Sequence, residues 1–65
     1  MTAAECREHE AEAMAHYQAA LNMDGKGIVT HEERKAYGEI ARRALTRAAE
    51  WDRAAQLAEE MENET

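Results

Sequence analysis

The chain is 65 residues long with a formal charge of −6, and it contains fifteen alanines, one tryptophan, two tyrosines and no phenylalanine or proline. Such a length allows one small domain at most, and so few large apolar side chains give a thin core, so a second copy or a partner is expected to supplement it. The acidity argues against direct nucleic-acid binding, which needs a basic surface for phosphate, and favours a protein partner with a basic surface.

One cysteine, Cys6, has no internal partner for a disulfide, which favours a reducing, cytoplasmic setting. The opening Met-Thr-Ala-Ala-Glu lacks the basic-then-apolar pattern of a signal peptide. No apolar stretch approaches the ~20 residues of a membrane span, so no membrane is expected among the partners.

In chain order, Thr2-Ala-Ala-Glu5 fits a capping box, in which a Thr side chain takes an amide three residues on and Glu reaches back. A first helix is predicted over 3–23, built from good helix formers without proline or glycine. On it Ala3, Cys6, Ala13, Met14, Tyr17, Ala20 and Leu21 share a side at 100° per residue. Glu10 lies inside that stripe. It reads as a rim residue meeting an arginine of the second helix, with a site carboxylate as the alternative.

A loop over 24–29 follows, and Thr30-His-Glu-Glu33 is a second capping box that starts a helix over 30–62. If continuous, that helix is ~50 Å long. Gly38 weakens it by ~1 kcal/mol relative to alanine without requiring a break. Tyr37, Ala41, Ala44, Ala48 and Trp51 recur at 4-3-4-3 spacing, the seam of a helix packed along another. The expected fold is all-α: an antiparallel helical hairpin forming one domain over 1–65, with a long second helix.

With the helix ends set level at the loop, the first helix covers the second only to about Trp51. Beyond it Ala54, Leu57, Ala58 and Met61 centre about 100° from the Tyr37–Trp51 seam. Two outcomes are open. The second helix breaks near 51–54 and folds back into a three-helix arrangement, or the stripe meets a homodimer mate or a target protein. Charge is segregated as well. Residues 1–24 hold five acids against Arg7, and 54–65 hold Glu59, Glu60, Glu62 and Glu64 with no base. The acidic first helix is expected beside Arg42, Arg43 and Arg47, leaving the acidic end without a basic neighbour.

Residues Asn22 to Glu33 resemble an EF-hand calcium loop. Taking Asn22 as the first position puts Asp24 third, Gly27 at the sharp sixth-position turn, Ile28 seventh with its carbonyl, Thr30 ninth and Glu33 at the bidentate twelfth. The resemblance implies calcium as a ligand held by Asn22, Asp24, Ile28, Thr30 and Glu33. The sequence departs from it at three places. Asn22 removes a negative charge, Lys26 sets a cation where an oxygen belongs, and Arg34 replaces an apolar residue. The competing reading is a glycine-rich turn into a capped helix, with no cofactor. Elsewhere, His9 and His16 are seven residues and ~10.5 Å apart along a helix, too far to share an ion.

No nucleophile–base pair or phosphate loop is present in the pattern, so an enzyme is not expected. The expected function is a small acidic helical binding module or inhibitor that occupies a basic surface of a larger protein. Trp51, Leu57 and Met61 would anchor it, and Glu59, Glu60 and Glu62 would steer it. Size, acidity and helicity liken it to phage-encoded anti-defence proteins, anti-CRISPR proteins among them, and to antitoxins; this is analogy at the level of shape. The alternatives are a degenerate EF-hand module and a structural hairpin dimer.

Overall fold

A computed structural model of the chain describes residues 1–24, Gly27 and 30–64, with Asp24 described in its backbone alone. Helix α1 spans Ala3–Asp24 and helix α2 spans His31–Asn63. They pack on each other as an all-α antiparallel hairpin of 53 × 13 × 13 Å. Its radius of gyration, 15.2 Å, makes it a rod; a globular chain of this length would have ~11 Å.

Both helix starts form as their sequences require. Glu5 donates its amide to Thr2 Oγ1 and the Thr2 amide donates to Glu5 Oε1, each at 3.1 Å. Two amides that the first turn would leave without partners are thereby satisfied reciprocally. At α2, Thr30 is extended at φ −71°, ψ 165°, and its hydroxyl oxygen accepts the Glu33 amide at 3.1 Å. Gly27 sits at φ +79°, where a Cβ would be strained, so glycine suits the turn between the helices.

The Thr2 amide and hydroxyl hold the Glu5 carboxyl below the usual carboxylate range. A group whose pKa is lowered by folding stabilises the fold above its unfolded pKa and loses that contribution as pH falls through the folded one. Protection of the first-turn amides of α1, taken relative to their intrinsic exchange rates at each pH, is therefore expected to fall on acidification below about pH 4. Glu5→Gln should flatten that dependence; an unchanged pH profile in the variant would overturn the assignment.

The interface is an alanine seam. On α1, Ala3, Cys6, Ala13 and Ala20 are buried, with half-buried Glu10 and Tyr17 completing a 3-4 spacing. On α2, Tyr37, Ala41, Ala44, Ala48, Trp51, Ala55 and Ala58 are buried or half-buried at 4-3 spacing. Ala44 and Ala55 have no exposed surface. Small side chains along both seams let the backbones approach closely, and the heptad-like spacing keeps the contact on one stripe of each helix. The same choice leaves little to bury: among the described residues no large side chain is fully buried.

Two sequence expectations are corrected. The helices are not level at the loop. Ala3 meets Glu62 at one end, and at the other Met23 lines a depression with Tyr37 and Ile40. Helix α1 thus lies opposite residues from about Tyr37 to Glu62, and its cover does not stop at Trp51. Helix α2 is also continuous through 51–54. With Ala55 and Ala58 carrying the seam onward, the three-helix alternative has no driving force.

Candidate protein-interaction surface

Arg7 organises the terminal half of the hairpin. Its guanidinium donates to Asp52 Oδ1 at 2.6 Å, to Glu10 Oε1 at 2.8 Å and to Glu59 Oε1 from Nη2 at 2.9 Å. Nε also donates to Glu59 at 3.1 Å, so the planar fork grips that carboxylate with two bonds. Three carboxylates around one guanidinium push its pKa up from an already high value. Asp52 is fixed further by Gln56, which donates to its second oxygen at 3.1 Å.

Glu62 serves the very start of α1, one turn before Arg7. Its Oε1 accepts the Ala3 amide at 3.0 Å, setting a carboxylate at the positive end of the helix dipole. Arg7 and Glu62 together fasten the last turns of α2 to the first turns of α1. The expectation that the acidic end lacks basic or donor neighbours is corrected for Glu59 and Glu62. The expectation for Glu10 is corrected too: it pairs with Arg7 of its own helix. These cross-helix ion pairs run from a base on α1 to acids on α2, the reverse of the expected direction, while Arg42, Arg43 and Arg47 are exposed.

Among the remaining residues singled out in the sequence, Trp51 is half-buried in the seam. Its ring stacks on His9 with centroids 4.4 Å apart and planes 19° from parallel. It borders a shallow depression shared with Glu12, His16 and Arg47. Leu57 and Met61 stand on the outer side of α2, 53% and 71% exposed. Leu57 borders a depression with Asp52, Arg53, Gln56 and Glu60, and Met61 one with Met1, Ala58 and Glu62. Glu60 and Glu64 are exposed beside them.

Of the residues that the calcium-loop resemblance implies, Ile28 and the Asp24 side chain lie outside the described residues. Asn22 is exposed on the last turn of α1. Thr30 and Glu33 are bonded to each other, the Thr30 hydroxyl donating to Glu33 Oε1 at 3.1 Å. Among the described residues no three His, Cys, Asp or Glu side chains gather in a way that could hold a metal ion. Among the described residues no helix is long and apolar enough to cross a membrane.

Sequence reasoning missed the Arg7 cluster and the His9–Trp51 stack. The signal for the first was present: Arg7 is the one base in residues 1–24, and Ala55 and Ala58 prolong the seam that brings Asp52 and Glu59 to it. No protein-family model, curated protein or solved structure matches the chain.

Proposed function

We propose that the chain is a small acidic protein-binding module, and that the outer side of the end of α2 docks on a basic surface of a larger protein. The observation that carries this reading is the exposure of Leu57 and Met61, 53% and 71%, on a helix end that Arg7 and Glu62 hold in place. Two apolar anchors on a fixed helix reach a partner without a folding cost at binding. Glu60 and Glu64 flank them and supply the charge that steers a basic partner. Glu59 and Glu62 act within the hairpin, so their part is to hold the patch. Occupying a basic functional surface would inhibit the partner.

Leu57→Asp together with Met61→Asp is the test. Affinity capture with wild type and the double variant as baits, followed by calorimetry on the retained protein, should show binding lost by at least about 100-fold, the scale of two truncated anchors. Helicity should be unchanged and the melting temperature should stay within a few degrees, because exposed positions change stability by ~0.5 kcal/mol or less. Full affinity in the double variant would remove the patch from consideration. Unfolding would show that the pair is core.

A further inference from the structure

We propose that the flank of the hairpin bearing Met14, Leu21 and Leu45 is covered by a second copy of this chain, two hairpins pairing flank to flank as a four-helix bundle. This face is distinct from the Leu57–Met61 patch and does not depend on it.

The seam register divides the hairpin into two flanks. Arg7 of α1 bonds Asp52 and Glu59 of α2, so residues at the same register as these share one flank. By seven-residue steps Met14 and Leu21 follow Arg7 on α1, and Leu45 and Gly38 precede Asp52 on α2. The opposite flank carries His9, His16, Arg47 and, toward the loop, Met23 and Ile40. On the first flank Met14, Leu21 and Leu45 are 36%, 42% and 47% exposed. Large apolar side chains there are left over because alanine fills the seam.

Three observations select a second copy as the occupant. The first is area. The chain exposes 5067 Å²; a compact monomer of this mass exposes ~4,200 Å². The excess, ~900 Å², is close to the ~800 Å² that each partner contributes to a standard interface. The second is charge. A chain of net charge −6 repels its own copy unless the contact face is spared. This flank is spared: among the described residues, register brings Asp52 and Glu59 to it, Glu10 borders it through Arg7, and these three carboxylates are matched in number by Arg7, Lys35 and Arg42. The third is self-complementarity. Lys35 and Arg42 edge the flank toward the loop, while Asp52 and Glu59 edge it toward the termini. A two-fold axis perpendicular to the rod near Gln18 and Leu45 sets Asp52 level with the partner's Lys35 and Arg42, so each basic end lies opposite the partner's acidic end. Leu45 then meets its counterpart and Met14 meets the partner's Leu21, residue i on j and j on i, as an isologous contact requires.

Sedimentation equilibrium of the whole chain should give twice the 7.3 kDa chain mass at micromolar concentration. Leu45→Glu and, separately, Arg42→Glu should each raise the dimer dissociation constant by at least about 100-fold, the scale of a lost buried anchor or a like-charge contact. Ile40→Glu changes a side chain of equal exposure, 47%, on the opposite flank and should leave the dimer intact. The Leu57→Asp, Met61→Asp protein should also remain dimeric, so loss of partner binding and loss of the dimer are separable. If Leu45→Glu fails to fold, the wild type decides: a melting temperature that rises with protein concentration supports the dimer, and one independent of it overturns it. A wild type that stays at single-chain mass at hundred-micromolar concentration overturns the proposal. So does a dimer broken by Ile40→Glu and kept by Leu45→Glu.

Discussion

Replacing Ala44 with leucine is expected to destabilise the hairpin by about 1–3 kcal/mol, the usual cost of forcing extra methylenes into a filled contact. Ala44 has no exposed surface and sits in the middle of the α2 seam, so a longer side chain has no solvent to turn into. It must push the helices apart, and the neighbouring alanine contacts open with it. The total available is small: at the ordinary value per residue, a chain of this size has ~3–10 kcal/mol. A fall in melting temperature of about 5–20 °C should follow, read by circular dichroism at fixed concentration. Ala15→Leu on the exposed side of α1 adds the same atoms and should change the melting point by only a few degrees. If the two variants melt together, close approach along the seam is not what holds the helices.

The all-α hairpin and its boundaries could be read from local chemistry. The two capping boxes, at Thr2 and Thr30, put each helix start within a residue of where it lies, and the absence of proline kept both helices whole. What could not be read locally was the offset between the helices. A short connection says that the helices turn back, but not how far one slides along the other. That is decided by which side chains fit in the seam and by where Arg7 finds carboxylates. Setting the ends level at the loop left Leu57 and Met61 seemingly beyond cover. In the structure α1 reaches Glu62, and these two residues are exposed for another reason: they lie off the seam on the outer side of α2. The exposed patch was therefore legible, while the account of why it is exposed was not. Steering was over-assigned for the same reason, since Glu59 and Glu62 look free in sequence and are bonded in the fold. The flank bearing Leu45 went unseen because a flank is defined only once the pairing of the two helices is known.

Reversing the charge at Arg7 is expected to loosen the end of α2 that carries the proposed docking patch. In Arg7→Glu a carboxylate replaces the guanidinium that Glu10, Asp52 and Glu59 now share, so four acids converge where one base had bridged three. Arg7→Ala removes the attraction alone and is expected to lower the melting temperature by about 5 °C; Arg7→Glu adds repulsion and should lower it by roughly twice that. The loss should be uneven. Amides of residues 55–63 should exchange faster, because Arg7 is a main tie between those turns and α1, while the Thr30 end of α2 is unaffected. A reduced affinity for the partner should accompany this in a protein whose Leu57 and Met61 are untouched, since an unfastened helix end must be ordered on binding. Adding Glu59→Arg to Arg7→Glu restores one opposite-charge pair across the helices and should recover part of the melting temperature, a coupling that independent surface charges would not show. The Arg7 side chain is 41% exposed, so added salt should shrink the difference between wild type and Arg7→Ala. The measurement separates the cases: Arg7→Glu melting within a degree or two of wild type, with no recovery in the double variant, would show that the alanine seam alone holds the two ends together.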